Sequence, residues 1–186
     1  MKTTSTTIAA SFLLIAAIVT MTAGVWAQSP KPDLPPSANA LSKEDDQAVR
    51  TTIEGIKNSW NAHDMEAMSR LFTEDAEFIN VVGMHWRGRD DIMTAHAAFH
   101  KTSFKNHHLK TDSIQTRSLG SGHAIAVVTT TNDSFTTPAG QVVPKRQNRQ
   151  TYVLTKGAEG WKITHGHNVA VDAEAEKHDP TKRPGQ

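Results

Sequence analysis

The sequence predicts an α+β domain, a curved antiparallel sheet wrapped around a long N-terminal helix, with two further helices and a central pocket. Three observations predict it. Apolar residues recur at helical spacing from Val49 to Trp60, they alternate at period two through most of the second half, and turns rich in Gly cut that half into strands.

Ser42 followed by Asp45 approximates a capping box, with Glu44, Asp45 and Asp46 at the positive end of the first helix. Val49, Ile53, Ile56 and Trp60 then form one apolar stripe. Asn61-Ala62-His63-Asp64 breaks it, and Asp64 can cap a short second helix carrying Met65, Met68, Leu71 and Phe72. From Ala76 the period becomes two, with Ala76, Phe78, Asn80 and Val82 on one face and Glu77, Ile79 and Val81 on the other. Gly83 turns the chain into a short return strand, Met84 to Arg87, and a third helix runs from Arg89 to Lys101. His107 to Leu119 and His123 to Phe135 read as strands joined by Gly120-Ser121-Gly122. A turn around Pro138 leads into Val142 to Thr155, and Gly157 to Gly160 turns into Trp161 to Val171. A sheet of this length bent around a helix leaves a conical cavity, where ligands are expected.

The ends read differently. Met1 to Ala27 has one charged side chain, Lys2, an apolar core from Ile8 to Val19, and a Val25-Trp26-Ala27 end with small residues at the last and third-last positions. That is the pattern of a secretory signal peptide cleaved after Ala27, too short and too rich in Ala and Thr for a membrane-spanning helix. The expected location is therefore the periplasm or the medium, with no membrane attachment after cleavage. Residues 28–41 form a Pro- and Ser-rich linker, residues 42–171 the folded domain, and residues 172–186 a polar tail expected to be disordered.

Composition excludes several classes of function. The formal charge of +1 belongs to Lys2, so the mature chain is neutral and has no basic cluster for capturing nucleic acid. No Cys means no disulfide and no thiol nucleophile. The ten histidines, against a single tyrosine, are the anomaly.

His96 and His100 are four apart on the third helix, so they share a side near Ile92 and Phe99. On the last strand, alternation places His165 and His167 on the face of Trp161, Ile163 and Val169, which must be buried. Two readings stand. Either each imidazole is a structural hydrogen bonder, or the pairs converge on one pocket. Convergence would serve acid–base chemistry, with His96 or His167 as the base, or hold a transition metal through His96, His100, His165 and His167. His107 and His108 are adjacent in a strand, so at most one points inward, and His63, His123 and His178 are expected in solvent. Asn80 is either a pocket group or a core hydrogen bonder, and Arg149 either enters the concave side of the sheet or lies at a solvated edge. Trp60 and Trp86 are core or pocket walls.

The block LFTEDAEFINVVGMHWRGRDDIMTAHAAFH, Leu71 to His100, resembles the SgcJ/EcaC-type family, in the SnoaL-like and ketosteroid-isomerase-like branch of the nuclear transport factor 2-like superfamily. Trp60 and Asp64 ahead of it and Trp161-Lys162-Ile163 with His167-Asn168 at the end extend the resemblance over nearly all of the folded part. It implies a cone-shaped α+β barrel with a pocket, dimerising through the outer sheet face. It implies far less about activity, because the superfamily hosts isomerases, cyclases, dehydratases and plain binding domains. The chain has no Gly-rich nucleotide loop, and its one tyrosine, Tyr152, falls on the opposite parity from Arg149.

The expectation is thus an exported pocket protein with a small-molecule ligand and no cofactor beyond a transition metal. As an enzyme it would isomerise, cyclise or hydrate a small apolar or cyclic compound. As a binding domain it would carry a hydrophobic ligand, or a metal through the histidines. Trp60, Phe78, Asn80, Trp86, Phe99, His100, Arg149 and His165 are the expected substrate contacts.

Overall fold

The computed structural model describes residues 40–182. The expected signal segment and nearly all of the linker lie outside the described residues. Helix α1 (Lys43–Asn61) starts where expected, with the Ser42 side chain accepting from the Asp45 N–H. It buries Val49, Thr52, Ile53 and Ile56 against the sheet. Polar contacts then set its position. The Thr52 hydroxyl donates to the Trp161 carbonyl at 3.0 Å, the Trp161 indole donates to Asp45 at 2.9 Å, and Arg50 donates to the Ile114 carbonyl at 2.9 Å. At its far end the Asn61 amide donates to the Leu109 carbonyl and accepts from the Leu109 N–H, both at 2.9 Å, standing in for a neighbouring strand.

After α1 come α2 (Met65–Ser69), capped by Asp64, then β1 (Phe72–Ile79), β2 (His85–Arg87) and α3 (Arg89–His100). Strand β1 begins four residues before the expected Ala76. Its pairing shifts register between Phe72 and Glu77, so Glu74 and Asp75 are both exposed and the alternation is hidden. The remaining strands are β3 (Leu109–Gly120), β4 (His123–Asn132), β5 (Phe135–Thr136), β6 (Val142–Val143), β7 (Arg146–Gly157) and β8 (Gly160–Ala170). The expected long strand from Val142 is two elements. Pro144, which has no N–H to give a ladder, separates the β5–β6 hairpin from β7. The polar end, expected to be disordered, contains helix α4 (Ala173–Lys177), whose N-cap Asp172 accepts from two backbone N–H groups.

Six strands form one sheet in the order β2-β1-β8-β7-β4-β3. It is antiparallel except for β1 beside β8, which run parallel. Phe72, Met68, Ile92, Leu154, Ile163 and Val49 are fully enclosed between the sheet's inner face and the helices. Among the described residues no helix is long and apolar enough to cross a membrane.

Candidate functional site

A cavity of about 400 Å³ opens between α1, α3 and the inner face of the sheet. One wall is aromatic. Phe78 on β1 stacks on Trp86 of β2 at 5.8 Å between ring centres, and Phe99 of α3 lies 6.3 Å from Trp86. Trp60 from α1 and Phe104 also line it, as do Phe135, Pro138 and Val143 of the β5–β6 hairpin. Polar side chains of the sheet, Asn132, Arg146, Gln150, Tyr152 and Asn168, complete the lining. No acidic side chain lines the cavity among the described residues.

His96 is the ionisable group on the apolar side. Its ring stands nearly perpendicular to Trp86 and Phe78, at centroid distances of 5.0 and 5.5 Å. Its Nδ1 lies 2.7 Å from the Ile92 carbonyl. A carbonyl only accepts, so Nδ1 carries the proton and Nε2 keeps the lone pair. Burial pushes its pKa down to about 4, only partly opposed by that hydrogen bond. At neutral pH it is a neutral imidazole of one tautomer.

The histidines do gather, though not as the alternation suggests. His96, His100 and His107 surround Trp60 at centroid distances of 5.8, 4.4 and 5.5 Å. The Trp60 indole donates to His107 Nδ1 at 3.1 Å. His100 Nδ1 lies 2.7 Å from Nδ1 of His63, a residue expected to sit in solvent. Burial and the neighbouring imidazoles lower the His100 pKa to about 4, and burial also lowers that of His107. Among the described residues no group of three or more His, Asp or Glu is placed to hold a metal ion.

His165 and His167 are not part of this gathering. Ile163 pairs with Leu154, but His165 pairs with Val153, so Thr164 is an extra residue and the strand bulges there. A bulge reverses the parity beyond it. Gly166 and Asn168 therefore face inward, while His165 and His167 pass to the outer face, His167 being exposed. The expected four-histidine metal set does not assemble, and neither residue reaches the cavity. Arg149 is likewise on the outer face, 3.3 Å from Glu176 of α4. The inner row of β7 is Arg146, Asn148, Gln150, Tyr152 and Leu154, so Tyr152 enters the cavity where Arg149 was expected. Burial raises the Tyr152 pKa, keeping it a neutral phenol. Asn80 lies on the cavity lining, but its Oδ1 accepts from the Val82 and Met84 N–H groups and so braces the β1–β2 turn. Trp60, Phe78, Trp86 and Phe99 line the cavity as expected, while His100 packs behind Trp60.

Arg146 and the carboxamides escaped the sequence reading because polar residues on an inner face look like an outer one. The available signal was that Arg146, Gln150 and Tyr152 share parity with Leu154, which must be buried.

The family model for the SnoaL-like domain matches residues 49–171. The chain belongs to the SnoaL-like family. This SnoaL-like domain is similar to a protein with a cystatin-like fold from Caulobacter vibrioides, at 38% identity over 74% of this chain and 96% of that one, TM-score 0.72. It shares its fold with a putative dehydratase of the NTF2-like family from Streptomyces avermitilis, at 17% identity over 70% of this chain and 98% of that one, TM-score 0.60. A ketosteroid isomerase-like protein from Erwinia carotovora atroseptica has the same fold, at 15% identity over 70% of this chain and 99% of that one, TM-score 0.59. Among curated proteins none matches this chain.

Proposed function

We propose that this SnoaL-like domain, of the SgcJ/EcaC-type branch, is an exported enzyme that performs acid–base chemistry with His96 on a small, largely apolar cyclic compound. The observation that carries this is the neutral imidazole, fixed in one tautomer by the Ile92 carbonyl, on the apolar wall of the cavity. A base in that state takes a proton through Nε2, and the ring it serves stacks against Phe78 and Trp86. Arg146, which lines the cavity, stabilises negative charge that develops on the substrate. In isomerisation, dehydration or cyclisation the proton taken by His96 Nε2 is returned to the product or to the leaving hydroxyl, and fold neighbours named as a dehydratase and a ketosteroid isomerase-like protein fall in that range. Export rests on the first 27 residues, and a homodimer on the outer sheet face, where Ile125, Val127 and Val153 lie side by side.

A second reading, binding without turnover, is favoured by the same pKa. An imidazole at about 4 is a weak base at neutral pH. Untagged protein analysed by native mass spectrometry for a co-purified compound, followed by turnover of that compound, separates the two. Replacement His96→Ala is expected to lower turnover about 100-fold or more while binding persists. Unchanged turnover would remove His96 from the mechanism, and binding with no turnover in the wild type would leave the carrier reading.

Export has its own measurement. The intact mass of protein recovered from the periplasm or medium of an expressing bacterium is expected to begin at Gln28. A mass retaining Met1 to Ala27 would overturn cleavage.

A further inference from the structure

We propose that the cavity recognises a ring compound carrying two hydroxyl groups on one edge, read by Gln150 and Asn168. This rests on the small-molecule reading of the same cavity and names its ligand class.

Gln150 and Asn168 are register partners on β7 and β8, both on the inner face and both on the cavity lining. Gln150 is only 6% exposed. Its Nε2 donates to the Thr130 hydroxyl at 3.0 Å, yet its Oε1 is buried with no donor. Asn168 Oδ1 is buried and lacks a donor as well. Folded proteins rarely leave buried acceptors unused, because such an oxygen has lost its water and gained nothing. The nearby amide of Asn132 cannot help, since its Nδ2 is directed at Thr130.

Both residues line the cavity, so a ligand bound there is placed to supply the missing donors. Directly opposed residues on antiparallel strands have Cβ atoms about 5 Å apart. Two amides so placed face the same edge of a bound ring, so the hydroxyl groups they read lie on one edge. An ammonium group could also donate, but the cavity has Arg146 and no carboxylate, which disfavours a cation. A hydroxyl suits the site in either orientation of the amides, because it both donates and accepts. The ring itself packs on the aromatic wall of Phe78, Trp86 and Phe99.

The test compares 2,3-dihydroxynaphthalene, 2-naphthol and naphthalene on the purified protein, by calorimetry with naphthalene measured in competition. The diol is expected to bind at least about tenfold tighter than the hydrocarbon, with the mono-ol between them. Asn168→Leu and Gln150→Met are each expected to remove most of that preference while naphthalene affinity changes less than about threefold. Two variants are used because Gln150→Met also loses the Thr130 contact. Equal affinity for the three compounds, or a preference that survives in the folded variants, would overturn the diol reading and leave the cavity as an apolar ligand site. Failure of all three to bind would overturn both.

Discussion

Replacement of Gly166 by alanine is expected to destabilise the fold by about 1–3 kcal/mol and to lower Tm by roughly 5–10 °C, a large effect for one methyl group. A Cβ at this position would lie 2.6 Å from Phe78 Cδ2 and 3.2 Å from Tyr152 Cε1. Neither ring moves without breaking packing contacts. Phe78 is held by Phe72, by the stacked Trp86 and by His96 at 6.4, 5.8 and 5.5 Å, and Tyr152 is 5% exposed. The glycine is needed for space, since the bulge at Thr164 has turned this position inward against two aromatic rings. Any accommodation displaces Phe78 into the cavity, so ligand affinity should fall together with stability. Thermal denaturation of Gly166→Ala checks the first effect, and an unchanged Tm would contradict the packing described for β8.

Stability is expected to fall as pH is lowered from about 6.5 to about 4, before most carboxylates protonate. An unfolded imidazole takes up a proton near 6.5, whereas folded His96 resists it down to about 4. Between those values the unfolded chain binds more protons, so the unfolding free energy decreases with falling pH. His96 alone contributes a loss of roughly 3 kcal/mol across the window. His100, also near 4, adds to it through its burial and through the charges of His63, His96 and His107 that face it. Lowered carboxylates such as Asp45 and Asp46 act further down, where their folded forms finally protonate. Urea unfolding at pH 7 and pH 4.5 measures the slope, and His96→Phe should reduce it. Equal stability at both values in the wild type would show that these imidazoles are not buried neutral.

The helices were legible because their information is local. Ser42 caps by reaching three residues ahead, and the Val49, Ile53, Ile56 stripe needs only the helical period to find the core. Strand pairing was legible where turns mark it, as at Gly120-Ser121-Gly122 between β3 and β4. The aromatic side of the site was legible for a related reason. Trp60, Phe78, Trp86 and Phe99 are large, apolar and correctly phased on their own elements, so burial carries them to the common interior.

The polar side was not legible, because it depends on which face of β7 and β8 turns inward. On β7 the odd positions Arg149, Thr151 and Val153 look as suitable for burial as Asn148, Gln150 and Tyr152. Only packing against α1 and α3 chooses between them. On β8 a single extra residue, Thr164, exchanges His165 and His167 for Gly166 and Asn168. A bulge arises from the register of two partner strands and leaves no mark in the composition of one.

The surplus of histidine shows where that boundary falls. Sequence alone determined that His96 and His100 share one side of α3, since the helical period is a property of the backbone. Tertiary structure alone decided their company. It sent the two histidines of β8 outside, and it brought His63 to His100 and His107, which precedes β3 where a strand was expected to begin, to Trp60. Local spacing determines direction along an element, whereas the meeting of side chains from different elements is set by long-range pairing and close packing.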